Sequence, residues 1–371
     1  MANNTLVPSG FLTLADIMDQ TVTAAGPEIV AEAINTSLAA WNSEVTSMLS
    51  VFATPTTSHQ TKFQANVLRN MQGATEYSRS LPSKGITNYT VACHTQKGMT
   101  GSGTTRDAAL RMTVAQAAAL TKSAIIADGY WMRNLLFSAL FSTAAWTYPD
   151  PEYGDLTIYP LANGDATLFQ KVGADLTGVA DTHQLAQTAA IADGAATDPY
   201  PVIKAELEEH PENGEGTVVT FIASDLVTTT EALASFHLPE DPNIKAGDSA
   251  DKLVGVLGYP VPGKILGYHS RGGWIVEWKA IPSGYMIGVS PGVGGIPPLW
   301  MRELETPELR GFRNVASTIM HPLENSTWEH HVGFAAYNRA GAVVMRIANA
   351  GSLGSAGTYL VPTGYTAPIN N

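Results

Sequence analysis

Apolar residues recur at steps of three and four at Val30, Ile34, Leu38, Trp41, Val45 and Met48, directly after a Gly26-Pro27 pair. That spacing gathers them on one stripe of a helix, and proline suits the first turn because its missing N–H has no intrahelical partner there. Residues 1–26 carry Asn, Thr, Gly and Pro among single apolar positions, without a period. This predicts an extended arm that needs a surface to lie on. Residues 53–103 are rich in Thr, Ser, Gln and Gly, with TNYTVACHT reading as a strand. So long a loop is expected only where it is functional or packs on another molecule.

Residues 105–142 return to a helical pattern, with Thr104 or Thr105 as cap and Asp107 in the positive first turn. A continuous helix over that stretch would run about 57 Å, with a bend expected at Gly129. Between 150 and 198 the signals are weaker: a strand at DLTIYP, a turn at Asn163-Gly164, then small residues. Pro199 and Pro201 open a helix with Val202, Ile203 and Leu207 on one side. The turn HPENGEG leads into a strand, TVVTFIA, and a short helix follows at 228–236. GWIVEW and YMIGVS read as strands parted by Pro282-Ser283-Gly284, so 199–300 forms a compact α+β domain. Beyond Trp300 come the strands FRNVASTIM, WEHHVGFAAY and GAVVMRIA. The last two, joined across Asn338-Arg339-Ala340, predict a half-buried antiparallel hairpin with Val343, Met345 and Ile347 on one face and Val344 and Arg346 on the other.

At 371 residues the chain is long enough for two to three structural units. Its net charge of −12 argues against a protein that grips phosphates. Only 15% of residues are charged against 44% hydrophobic, so much of the surface is expected to be covered by neighbouring chains. The lone cysteine, Cys93, excludes an intrachain disulfide and fits a reducing compartment. The first residues lack the basic start and apolar core of an export signal, and the apolar stretch at 130–146 is broken by Arg133, Asn134, Ser138, Ser142 and Thr143. No membrane span is expected.

His330-His331, with Glu329 and His321 nearby, is the densest group of potential metal ligands, but adjacent strand residues face opposite ways and do not share an ion. The same geometry parts Cys93 from His94 as a nucleophile and base. Gly292-Val293-Gly294-Gly295 lacks the Lys-Ser/Thr of a phosphate loop, and GSLGSAG at 351–357 lacks the spacing of a nucleophile elbow. Glu206, Glu208, Glu209, Glu212 and Glu215 read as a solvated acidic face. The expectation is therefore no catalytic residue, no cofactor and no metal site: not an enzyme.

KAELEEHPENGEGTVVTFIASDL (204–226), IPSGYMIG (281–288) and LWMRELETPELRGFRNVASTIMHPLENSTWEHHVGFAAYNRAGAVVMRI (299–347) resemble the second half of major capsid proteins of tailed bacteriophages. The resemblance implies an α+β Hong Kong 97-type capsid fold. It makes 1–53 the N-terminal arm and first helix, and 54–104 the extended loop. Residues 105–198 become the spine helix and first part of the peripheral domain, 199–300 the axial domain, and 301–371 the returning peripheral strands. It implies hexamers and pentamers of the chain forming an icosahedral shell around double-stranded DNA, without sequence-specific binding. Scaffolding, portal and decoration proteins would be partners, and the location the virion, assembled in the host cytoplasm. Negative charge suits a container that must not hold its genome fast. Without a long charged helical prefix, a separate scaffold or none is expected. Some members join a lysine to an asparagine under a carboxylate; Lys84 lies in the matching loop, but with no Asn or Glu partner identified the bond is not predicted. The alternatives are an encapsulin-like compartment, which shares the fold, and a metal-dependent hydrolase using His330 or His331.

Overall fold

The computed structural model describes residues 18–66, 76, 86–172, 178–213, 217–238, 260–291, 296–316, 325–347 and 358–368. In chain order the elements begin with α1 (Val22–Ala25), α2 (Pro27–Leu49), β1 (Ala53–Thr56), β2 (Gln60–Asn66), β3 (Ile86–Ala92) and β4 (Gln96–Gly103). Then come α3 (Arg106–Arg111), α4 (Val114–Phe141), β5 (Trp146–Asp150), β6 (Gly154–Ile158), β7 (Asn163–Phe169), β8 (Val179–Thr182) and β9 (Gln184–Gln187). They continue with α5 (Pro199–Glu208), β10 (Val219–Ile222), α6 (Val227–Glu231), β11 (Phe236–His237), β12 (Lys264–His269), β13 (Gly273–Glu277) and β14 (Tyr285–Val289). The last are β15 (Leu299–Glu303), β16 (Arg313–Ala316), β17 (Asn325–Ala336) and β18 (Ala342–Ile347). The chain divides into two units, one of Met1–Val45, Gln96–Met132 and Leu304–His331, the other of Thr46–Thr95, Arg133–Glu303 and Val332–Asn371.

In the first unit α2 buries Val30, Ile34 and Leu38, the predicted stripe, against Met112, Val114, Ala117, Ala124, Phe312 and Trp328. The long helix is not continuous. It stops at Arg111 and restarts at Val114, because Thr113 and Gln116 form a capping box: Gln116 N–H donates to Thr113 Oγ1 (3.3 Å) and Thr113 N–H to Gln116 Oε1 (3.1 Å). The orphan amides of the restart are taken by the preceding chain, Val114 N–H donating to Gln20 O and Ala115 N–H to Met18 O. The helix runs through Gly129 without a break. A Cβ there would lie 3.3 Å from the Trp41 ring, so this glycine admits the indole, whose Nε1 donates to Asp128 Oδ2 at 2.8 Å.

The second unit is built on a seven-stranded sheet of order β11-β12-β13-β10-β14-β18-β9. β10, β14 and β18 are buried at every position, and α5 covers them with Tyr200, Ile203 and Leu207. The sheet takes β9 and β18 from outside 199–300. This corrects the expected hairpin. β18 pairs with β14 and β9, while β17 pairs with β15 and β16, so the turn at 338–340 carries the chain from one sheet to another. β18 is buried on both faces, Arg346 included. Asn163-Gly164 likewise opens β7 rather than making a turn, and the expected helix at 228–236 is only α6, giving way to β11. Elsewhere β1 lies parallel to β15, and β2 and β3 form an antiparallel hairpin within the expected long loop. Among the described residues no helix is long and apolar enough to cross a membrane.

Candidate functional site

The residues singled out from sequence as reactive are placed for structure. Cys93 and His94 follow β3 and are both buried. Burial pushes the Cys93 thiol up to about 12 against the opposing charge of Arg302, and burial followed by the Arg302 charge brings His94 down to about 4. A protonated thiol beside a ring packed on Trp146 and Tyr148 is no nucleophile and base. His94 also sets an acid limit. Its imidazole stays neutral when folded but would protonate near 6.5 when unfolded, so its contribution is present above 6.5 and is lost as pH falls towards 4. The expected loss is on the order of 3 kcal/mol. Urea unfolding of the isolated chain between pH 7 and pH 4 should show it, and His94→Phe should flatten that slope.

His330 and His331 do face apart. His330 Nδ1 is 2.7 Å from Asp128 Oδ1, and its ring lies beside Trp131 and Phe312. On the other side Glu329 accepts from Lys97 at 2.8 Å and from Arg313. The hydrogen bond from Lys97 foremost holds its carboxyl below the ordinary range. Lys97, Arg313 and Glu329 stand on β4, β16 and β17, so the charges tie neighbouring strands together. Lys84, His321, Glu215, 292–295 and 351–357 lie outside the described residues.

The acidic run is not uniformly solvated. Glu208 makes an exposed i,i+4 pair with Lys204 at 3.5 Å. Glu206, however, is pushed up to about 7 by burial and then by the charges of Glu209 and Asp181. Glu209 and Lys171, both half-buried, join the buried Asp181, His183 and His210 in a cluster that sequence reading missed. Asp181 and His183 sit where β8 runs into β9, and Glu209 and His210 end α5. The signal was present as Asp-x-His at 181–183 and Glu-His at 209–210, but the pairs are distant in sequence and the first falls in a stretch of weak periodicity.

No protein-family model matches the sequence, and no curated protein matches it. Solved structures do. A structure described as Mycobacterium phage Patience is similar at a TM-score of 0.64 and 18% identity, over 98% of this chain and 98% of that one. The chain has the α+β Hong Kong 97-type capsid fold. The capsid asymmetric unit of cyanophage Pam1 is similar at TM-score 0.49 and 13% identity, over 82% of this chain and 90% of that one. The capsid of a native GTA particle is similar at 0.45 and 12%, over 81% and 90%.

On this capsid fold each unit leaves large apolar side chains in solvent. In the first unit Ile126 and Tyr130 are one helical turn apart on α4, 49% and 54% exposed. In the second, Leu168 and Val179 project from the β7–β8 hairpin and Val172 from just beyond β7. Adjacent exposed apolar residues mark surfaces that another molecule covers more often than isolated ones do.

Proposed function

We propose that the chain is a major capsid subunit of a tailed bacteriophage, whose copies assemble through hexamers and pentamers into an icosahedral shell enclosing double-stranded DNA. The observation that carries this reading is the fold likeness to the phage structure across 98% of both chains. The low charged fraction and the exposed apolar pairs on α4 and the β7–β8 hairpin support it, since a subunit tiled among its copies needs little solvated surface. The negative net charge suits an enclosed genome that must stay free to move. The role is structural, with scaffolding, portal and decoration proteins as its further partners, assembly in the host cytoplasm and the virion as its destination.

Electron microscopy of the protein expressed alone and with its neighbouring genes tests this. Closed shells containing DNA are expected; closed shells around protein cargo would instead make it a compartment, and a small monodisperse oligomer under both conditions would overturn the shell reading. Within the proposal, Ile126→Asp and Tyr130→Asp should each abolish particles while leaving the circular dichroism melt of the subunit unchanged, because both side chains are more than two-fifths exposed in the single chain. Particles of normal yield from both variants would remove α4 from the assembly surface.

A further inference from the structure

Three acceptor atoms converge inside the second unit. His183 Nε2 and His210 Nε2 are 3.0 Å apart, and Asp181 Oδ2 lies 2.8 Å from the second and 3.3 Å from the first. The tautomers follow from the other ring nitrogens. His183 Nδ1 is 3.0 Å from the Ala342 carbonyl oxygen and His210 Nδ1 is 3.0 Å from that of Gln170, and a carbonyl oxygen can only accept, so each Nδ1 carries the hydrogen. Without a further proton, both Nε2 lone pairs then point at each other and at a carboxylate oxygen. The two histidine side chains are fully buried, so water does not relieve the clash. The contact calls for positive charge among these atoms, either a proton on one ring or a metal ion.

We infer that Asp181, His183 and His210, with Glu209 as fourth ligand, bind a divalent transition-metal ion of the zinc class. Donors about 2.0–2.1 Å from a tetrahedral zinc stand roughly 3.3 Å from one another, close to the three separations here. The fourth group is in place: Glu209 Oε1 is 3.5 Å from His210 Nε2, and one donor atom from each of the four residues falls within 4.8 Å of the others. Carbonyl acceptors behind both rings are the usual support for histidine ligands, fixing tautomer and ring direction. Lys171 does not occupy the centre. Its Nζ contacts Asp181 Oδ1 (3.3 Å) and Glu209 Oε1 (2.6 Å), leaving Asp181 Oδ2 free to face the imidazoles, while Glu209 Oε1 is shared between the lysine and the site and its charge is offset.

Four protein ligands make a closed site, which points to a structural rather than a catalytic ion. It would clip the β7–β8 hairpin to the end of α5, two parts of the chain already linked here by the Val172 N–H to Glu209 O bond, the His210 Nδ1 to Gln170 O bond and the Lys171 pairs. The inference stands whether or not the chain forms a shell, and it replaces the sequence-based expectation of no metal site.

The test uses full-length protein stripped with chelator, then dialysed against cobalt(II) or zinc(II). One tightly held ion per chain is expected, with the intense visible ligand-field absorption of four-coordinate cobalt, displaced by zinc, and a melting temperature that zinc raises and chelator lowers. His183→Ala and His210→Ala should each weaken cobalt binding beyond the roughly 10–100-fold that supporting residues cost, while His331→Ala should leave it unchanged. Should the histidine variants not fold, the wild-type titration decides alone. Wild-type protein that takes up no stoichiometric ion, shows no cobalt absorption and melts alike with zinc and chelator would overturn the inference and leave a shared proton as the cation.

Discussion

Replacing Arg339 with leucine is expected to cost about 3–5 kcal/mol, a large fraction of the roughly 5–15 kcal/mol that typically holds a native chain together. The guanidinium is almost completely buried in the turn between β17 and β18, and it has no apolar role that leucine could take over. Its Nε donates to Pro160 O at 2.7 Å and its Nη1 to Thr167 Oγ1 at 2.8 Å. Nη2 reaches Asn163 Oδ1 at 3.0 Å and Asp165 Oδ2 at 2.7 Å. The Tyr159 and Phe169 rings lie beside it. Removing the charge leaves the Pro160 and Leu161 carbonyls facing an apolar side chain at the full desolvation cost of unpaired acceptors, while Asp165, partly exposed, loses its ion pair. Arg339→Lys should recover only part, because an ammonium cannot span partners spread from 160 to 167. Urea titration of the isolated chain measures both. A loss under about 1 kcal/mol for the leucine variant would mean that the β5–β8 segment is held by something else.

Gly333→Ala is the second large effect, expected to reach or exceed the ~3 kcal/mol upper end of ordinary overpacking. Gly333 lies in β17 opposite Arg302 of β15, where a Cβ would stand 1.9 Å from the carbonyl oxygen of His94 and 2.7 Å from its carbon. Those are backbone atoms, and they cannot swing aside as a side chain would. The neighbouring Cys93 carbonyl accepts from Arg302 Nη1 at 2.8 Å, so displacing this strand end also strains a buried ion pair with Asp150. Gly101→Ala is the matched control, since its Cβ would meet Ser326 O at an ordinary 3.6 Å. Equal melting temperatures for the two variants would show that the chain at His94 yields freely.

Where local chemistry dominates, the residues announced the structure. The stripe on α2, the Thr105 cap with Asp107 behind it, and the Asp198-Pro199 start of α5 each depend on neighbours within one or two turns. The break before Val114 was equally local, written as the capping box Thr113-x-x-Gln116, but an unbroken apolar pattern on both sides outweighed it in the reading. Gly129 is the opposite case: a glycine inside a helix can mark a bend, a break or a close approach, and only the position of Trp41 reveals the close approach. The candidate metal site divides the same way: the tautomers of His183 and His210 depend on carbonyls of Ala342 and Gln170, far away in sequence.

By itself the sequence determined the helices and their apolar faces, the strand segments, the scarcity of charge and the phrases that resemble phage capsid subunits, since all of these depend on residue type and short spacing. Only the tertiary structure decided which strands pair. GAVVMRIA was read as alternating and half-exposed beside its sequence neighbour, yet β18 is buried throughout between β14 and β9, and the short 338–340 link joins two sheets instead of closing a hairpin. Alternation reports that a strand has two faces but not what covers each, and a buried arginine such as Arg346 looks like a solvent-facing one until its distant partner, the Thr358 carbonyl, is in place.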